Sequence, residues 1–494
     1  MIELGLSRVF RLLARTPLAW PAIHVAGTNG KGSICAYISA MFSAYNQSSL
    51  RRSIKKPPLK YGRFTSPHLI DRWDCITINE ETVSEFIFKE VEARVKRRDQ
   101  EEDINASEFE LLTATAFEIF TQEKIDVGVI EVGLGGRLDA TNILGQRSEY
   151  DDSGRFSGED EADFRRLPLL TVISSIGLDH QAFLGDTIEA IATEKAGILK
   201  SGVECFLAPN PPSVKEAVQA VSRKVQDKNH GMPITIREIS SEPRDLKAWL
   251  CSRVSKDELK EPRFEALAGR YMPDDIPSRR INALTALEAT HSTLLALGCI
   301  NPDRSGEYVD LYGEDYIKLY ESLWEVPFKV VWPGRLQQIS LAPLTGSEDS
   351  AILDGAHNAQ SAAELARYAR KMAGGRPITW LLAVSASKDI QGMLALLLKP
   401  GDRVVTTRFG PVDGMPWVKA MDEEEIQRAI ELEHRGCVLL TLGHDVAPAV
   451  GKAALLARQT SSQLVIAGSL YLVGDVMRLL RDRGASVTGQ ATVQ

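Results

Sequence analysis

The apolar positions in the first half of the chain fall in short, nearly continuous runs separated by segments of helical period. WPAIHVAG (20–27) reads as a strand entering a glycine loop, and SICAYISAMFSAY (33–45) as the helix that follows. IDVGVIEVG (125–133) and LLTVISSIG (169–177) are too short for helices and too uniformly apolar for half-exposed strands, so they predict strands buried on both faces. Helices are predicted over 107–122 and 187–200. This alternation implies βαβ units around a mostly parallel sheet.

Three stretches read as insertions on that scaffold. Residues 46–60 are basic and proline-bearing, 145–168 are acidic and rich in Gly and Ser, and 225–280 are highly charged with several prolines. The second is expected to be disordered or a surface loop. Near WPGRLQ (332–337) a new strand-helix series begins: AILDGAHN, a helix over 359–372, PITWLLAVSAS, DRVVTT and QLVIAGSLYLVGDVMRLL. The expected fold is α/β, with a P-loop ATPase-like domain on a mostly parallel sheet over 1–333 and a Rossmann-like α/β domain over 334–494.

Composition narrows the class. At 494 residues the chain is long enough for several domains. With 44% hydrophobic and 25% charged residues, and no run near the ~20 apolar residues of a membrane span, a soluble protein is expected. A net charge of −8 argues against a nucleic-acid binder, which needs a basic face. Cys35, Cys75, Cys205, Cys251, Cys299 and Cys437 form no C-x-x-C pair, so neither a zinc cage nor a disulfide framework is expected. Arg8, Arg11 and Arg15 give the first segment the look of a mitochondrial presequence. Glu3 and the early glycine loop favour a first packed helix instead.

The strongest chemical signal is GTNGKGS, Gly27 to Ser33, between a strand and a helix. Such a loop presents backbone N–H groups and the positive helix end to phosphate. Lys31 is placed to neutralise the β and γ phosphates, and Ser33 to support Mg²⁺. Gly32 separates the lysine from the serine, so the spacing departs from the common G-x-x-x-x-G-K-[ST] loop. Glu131 closes one buried strand, and His180 is read at the comparable end of the next, at the sheet edge where ligands bind in open α/β folds. Ser107 and Glu110 fit an S-x-x-E capping box.

HVAGTNGKGS, FTSPHL, EFELLTATAFE, EVGLGGRLDATN, GLDH, EKAGILK, PGRL, LDGAHN and GSLYLVGD occur in an order that resembles the dihydrofolate synthase and folylpolyglutamate synthase family of the Mur ligase superfamily. The resemblance implies Mg²⁺ held by Ser66, Glu131 and His180, and ATP held by Asn29, Gly30, Lys31, Gly32 and Ser33, with Asn282 near the adenine. Arg335, Asp354 and His357 would join from the second domain. Lys195 aligns with a family lysine that is carbamylated, making Lys31, Lys195 and His180 the expected catalytic set. Phe109, Glu110, Leu138, Asp139 and Ala140 would face the pteridine-bearing substrate. SASKDI departs from the family's acidic D-K-D, with Ser replacing the first acid.

The implied reaction is an ATP-dependent ligation through an acyl phosphate, a step that needs no enzyme nucleophile. GLGGRLDATN resembles dihydrofolate synthases and bacterial bifunctional enzymes, and GLSRVFRLL and WDCITIN resemble fungal dihydrofolate synthases. The expected substrates are therefore ATP, L-glutamate and 7,8-dihydropteroate, with folate-tail extension as the alternative. The chain is expected to be a cytoplasmic monomer, with a mitochondrial pool as a further possibility, and to need neither nucleic acid nor membrane.

Overall fold

The computed structural model describes residues 5–145, 167–229, 231–240, 276–300, 307–434, 436–441, 445–487 and 492–493. The chain divides into two compact units, one of residues 1–67, 75–330 and 493–494, the other of His68–Asp74 and Val331–Thr492. No sequence signal had separated the short 68–74 segment from its neighbours. Leu69 and Ile70 are apolar and join the second unit's core.

The first unit is built on an eight-stranded sheet. Its strands are β1 (Ala22–Ala26), β2 (Tyr61–Phe64), β3 (Ile76–Ile78), β4 (Glu81–Thr82), β5 (Val127–Glu131), β6 (Leu170–Ile173), β7 (Glu204–Leu207) and β8 (Ile236–Glu238), in the order β4-β3-β2-β5-β1-β6-β7-β8. From β2 to β8 every pairing is parallel, and only β3 and β4 run against their neighbours. The uniformly apolar runs are explained by burial: every residue of β1, β2, β5 and β6 is buried.

Parallel pairing brings the carboxyl ends of β2, β5, β1 and β6 side by side along one edge. The helix Glu108–Glu123 starts at Ser107 with the predicted reciprocal capping box. The helix Ile188–Ala196 starts from Thr187, whose side chain accepts the Ala190 N–H.

Several expectations change. Asn46 and Gln47 complete the helix Lys31–Gln47, and Ser48 caps a short helix Ser49–Ser53. The Asn46 amide then donates to the Leu59 carbonyl and accepts the Leu59 N–H, each at 2.8 Å, so much of 46–60 is ordered structure rather than an appended loop. In 225–280, the first residues finish the helix Pro212–Asn229, β8 extends the sheet, and the last residues open the helix Pro277–Ala296. The stretches 146–166 and 241–275, where the remaining insertion expectations fall, lie outside the described residues. Of the arginines of the first segment, Arg8 pairs with Glu110 at 2.9 Å, and the exposed Arg11 donates to the Glu102 carbonyl.

The second unit carries a six-stranded sheet in the order Gln337–Ser340, Ser350–Leu353, Gln463–Ala467, Ile378–Leu382, Arg403–Thr406 and Val438–Thr441. All pairings are parallel except that of the first strand. Two apolar layers cover its faces, one around Leu353, Ile466 and Val473, the other around Trp380, Leu365 and Met393. Among the described residues no helix is long and apolar enough to cross a membrane.

Asp402 ties this unit together. It is 1% exposed, and its carboxylate accepts from the forked Arg370 guanidinium, from Trp380 Nε1 and from the backbone N–H groups of Ile378 and Lys399. Burial pushes this carboxyl up, but the Arg370 bond and the backbone donors outweigh it and hold it below the ordinary range. Its stabilisation is therefore present above the ordinary carboxylate pKa and is lost as the pH falls through the lowered folded value. Asp402→Ala is expected to destabilise the second unit by about 3 kcal/mol or more, measured by chemical denaturation, because it leaves the Arg370 charge half-buried without its partner.

Candidate active site

The loop after β1 is shaped by two close approaches. Gly27 has φ +147°, and a Cβ there would stand 1.8 Å from Ser174 Oγ; Gly30 has φ +92°, and its Cβ would stand 2.5 Å from Asn282 Oδ1. Glycine is required at both positions. The end of β6 then holds the loop. Thr28 and Asn29 donate their N–H groups to the Ser175 carbonyl at 2.8 and 3.2 Å, Ser174 Oγ donates to the Asn29 carbonyl at 2.8 Å, and Thr28 Oγ1 donates to the Gly177 carbonyl at 3.1 Å.

The helix begins at Lys31, capped by Gly30, and runs 17 residues. The N–H groups of its first turn, including those of Gly32 and Ser33, have no acceptor within the helix and carry its positive dipole end. The Asn29 N–H is engaged by the Ser175 carbonyl, so the backbone N–H groups that are candidates for binding an anion start at Gly30.

Three charged groups gather beside this helix start. Lys31 Nζ donates to the Thr28 carbonyl at 3.3 Å and lies 3.9 Å from Glu131 Oε1. Glu131, at the end of β5, is buried and accepts the Ser66 N–H at 3.2 Å. Lys195 is 4% exposed and donates to the Gly27 carbonyl at 2.7 Å. Burial and, secondarily, the nearby Lys31 charge bring Lys195 down to about 7, against the pull of Asp179 and Asp139. It is a core lysine facing the phosphate loop and not a helix-surface residue.

His180 departs from the sequence reading. β6 ends at Ile173, and His180 lies in the loop beyond, at φ +55°, as N-cap of the helix Gln181–Leu184. Its side chain is 45% exposed, with Nε2 3.9 Å from Asp179 Oδ1. Periodicity located the strand, but the Ser174–Gly177 segment that grips the phosphate loop separates the strand end from the histidine.

Among the described residues no three His, Cys, Asp or Glu side chains meet at metal-binding distance. Glu131 and the Ser66 segment do come together, through the bond between Glu131 and the Ser66 N–H. One buried carboxylate with a neighbouring hydroxyl residue suits a hard, oxygen-seeking cation that keeps most of its ligands from water and phosphate.

The acids expected to face a pteridine also hold the scaffold. Glu110 accepts the Ser107 N–H at 2.7 Å as the capping-box partner and pairs with Arg8. Asp139 is buried; one oxygen accepts the Thr141 N–H and hydroxyl, and the other accepts the Leu134 N–H at 2.8 Å. Burial raises its pKa while these donors pull it down. Its acceptor sites are largely filled, so it fixes the shape of the 133–141 turn. Phe109 stacks on Phe64 with centroids 6.2 Å apart and fills the space that a Cβ on Gly133 would occupy. Leu138 is half-buried and Ala140 buried on the same turn.

Sequence reasoning missed Ser174, Asn142, Lys200 and His24. His24 Nε2 lies 2.8 Å from Thr141 Oγ1, and burial, aided by Lys200, holds the imidazole down at about 3. Its only sequence signal is a histidine inside an otherwise apolar strand.

In the second unit, Arg335, Asp354 and His357 form their own cluster after the strand Ser350–Leu353. Asp354 is buried and accepts the Leu336 and Ala356 N–H groups at 2.7 and 2.8 Å; burial raises it, and Arg335 opposes that shift. His357 Nδ1 lies 2.7 Å from the Gly355 carbonyl, which fixes Nδ1 as the protonated nitrogen. In the departing SASKDI loop, Asp389 caps the helix Ile390–Leu397.

Comparison with known proteins agrees with this geometry. Residues 337–479 match the model described as "Dihydrofolate synthetase, C-terminal domain". The chain is 32% identical over 488 residues to the "Probable dihydrofolate synthetase" of Schizosaccharomyces pombe, covering 97% of this chain and 99% of that protein. It is 30% identical over 483 residues to the "Dihydrofolate synthetase" of Saccharomyces cerevisiae, covering 97% and 98%. A solved bifunctional folylpolyglutamate synthase/dihydrofolate synthase from Yersinia pestis, complexed with AMPPNP and Mn ion, shares the fold with a TM-score of 0.65 at 24% identity, covering 97% and 94% of the two chains. A phosphate loop at the sheet edge, a buried lysine and carboxylate beside it, and near-complete coverage of these relatives place the chain in the dihydrofolate synthase and folylpolyglutamate synthase family of ATP-dependent amide-forming ligases.

Proposed function

We propose that the chain joins L-glutamate to 7,8-dihydropteroate with cleavage of ATP to ADP and phosphate. The observation that carries the reading is the placement of Lys31, at the start of a 17-residue helix, within 3.9 Å of buried Glu131. A carboxylate is a poor acyl donor, so its oxygen first attacks the γ-phosphorus and ADP leaves. The glutamate amine then attacks the acyl carbon of the mixed anhydride, loses a proton, and phosphate departs. No enzyme nucleophile enters this sequence.

Charge is the obstacle in the first step, because triphosphate and carboxylate repel. Lys31 and the first-turn N–H groups of Gly32 and Ser33 offset that charge where it shifts toward the bridging oxygen. We assign the divalent ion as Mg²⁺, held by Glu131 and Ser66, with His180, the N-cap of the helix Gln181–Leu184, as a further candidate ligand; when bound it would mask the phosphate charge. Asn29 and Asn282 complete the nucleotide set proposed for the first unit, and Arg335, Asp354 and His357 are the nucleotide-binding residues proposed for the second. Phe109, Leu138 and Ala140 supply the apolar surface proposed for the pteridine, with Asp139 holding the turn that carries Leu138 and Ala140.

Lys195 is proposed as the carbamylated residue. With its pKa near 7, a fraction of the amine is neutral at physiological pH. The neutral amine adds to CO₂ to give a carbamate and one proton, replacing a buried cation by an anion.

Three measurements check the reading. ADP release is expected with dihydropteroate plus glutamate; release with tetrahydrofolate plus glutamate alone would identify folate-tail extension instead. Lys31→Ala is expected to lower kcat by about 10²–10³-fold while leaving the thermal midpoint nearly unchanged. Activity in CO₂-containing buffer is expected to decline as the pH falls below about 7, where Lys195 becomes protonated, and bicarbonate depletion should reproduce the loss at higher pH. A profile indifferent to CO₂ would remove Lys195 from the mechanism.

A further inference from the structure

The 133–142 turn and the helix Ile188–Ala196 meet at backbone distance. A Cβ on Gly136 would stand 2.7 Å from the Lys195 carbonyl, and one on Gly197 would stand 2.5 Å from Arg137 Cα. The Arg137 N–H donates to the Glu194 carbonyl at 2.9 Å, and the Arg137 guanidinium pairs with the Glu194 carboxylate at 3.0 Å. Leu134 packs against the cluster holding Ile191, Ala192 and Ala196, and hydrogen bonds fix the register of the two backbones where Gly136 and Gly197 let them approach.

Asn142 bridges them. Its Nδ2 donates to the Arg137 carbonyl at 3.0 Å and to the Gly197 carbonyl at 3.1 Å, one acceptor on each element. Lys200, which is 7% exposed, donates from Nζ to Asn142 Oδ1 at 2.7 Å. A primary amide can sit in either of two flipped orientations. Lys200 selects one of them, because the flipped amide would set NH₂ against the lysine donor and its oxygen against two carbonyls. The reaction as described makes no use of either residue.

We infer that Lys200 and Asn142 are positioning residues: Lys200 orients the Asn142 amide, and Asn142 locks the Leu138–Ala140 turn to the helix that carries Lys195. The inference rests on the proposed roles of that turn and of Lys195 in aligning the substrate acid with the phosphate. The phosphate loop takes one bond from this helix, Lys195 Nζ to the Gly27 carbonyl, and is otherwise held by Ser174 and Ser175, which the lock does not touch. Loosening the lock therefore disturbs the alignment of the reacting groups more than nucleotide binding.

Three variants separate positioning from stability: Lys200→Met, Asn142→Leu and the double variant. Each single change strands a buried polar partner and lowers the thermal midpoint, whereas removing both restores the part owed to the Lys200–Asn142 bond, with the Arg137 and Gly197 carbonyls still lacking the amide. The double variant is expected to regain stability yet keep a kcat about 10- to 100-fold below the parent, with KM for MgATP altered less than about twofold. Hydrogen exchange is expected to rise together in 137–142 and 195–200, with 27–33 unchanged. A double variant with parental kcat, or exchange that rises only around residue 200, overturns the inference. If the parent shows no pteroate-dependent ADP release, the ligase reading fails, and the exchange pattern alone decides whether the lock exists.

Discussion

The contact on which the first unit depends is the backbone approach of Gly27 to Ser174. Parallel pairing of β1 with β6 sets Ala26 beside Ile173, so the next residue of each strand leaves the sheet at the same point. A side chain at residue 27 has no room there, since its Cβ would overlap Ser174 Oγ. The same proximity lets the Ser174 hydroxyl and Ser175 carbonyl define the loop through Thr28 and Asn29. The phosphate site is thus a property of two adjacent strand ends, and the glycine-rich motif is half of it.

Electrostatics follow from that packing. Lys31 and Lys195 are drawn to carbonyls of one loop, Thr28 and Gly27, with Glu131 as the buried acid beside Lys31. Lys31 places a cation at this loop in a chain whose overall charge is −8, which is how an acidic protein can hold a polyanion locally. Burial does the rest, lowering Lys195 far enough that a cation becomes a chemically available amine. Acids elsewhere in the fold have architectural roles, Asp354 beside its proposed part in nucleotide binding. Asp139, Asp354 and Asp402 each collect backbone N–H groups at a turn, and each is buried because its acceptors are filled.

The elements were legible where side-chain periodicity is dictated by burial. β1, β5 and β6, the Ser107–Glu110 capping box and the second unit's strand-helix series all follow from local pattern, because a strand covered on both faces has no polar alternative to conceal it. Polar composition misled at 46–60 and at both ends of 225–280. Asn46 can mimic a backbone partner, and a charged helix or edge strand needs only one apolar face.

By itself, then, the sequence determined the strand-loop-helix phosphate motif, the order of the α/β elements and the candidate residues Lys31, Glu131 and Lys195, since each depends on local chemistry and spacing. Only the tertiary structure decided that Lys195 is buried against the Gly27 carbonyl, that Glu110 and Asp139 brace the scaffold, that His180 stands off the strand end, and that Asn142 and Lys200 join two distant motifs. Those outcomes depend on which hydrogen-bond partners meet across long sequence separations and on how much water reaches them. Neither quantity is written in any window of neighbouring residues.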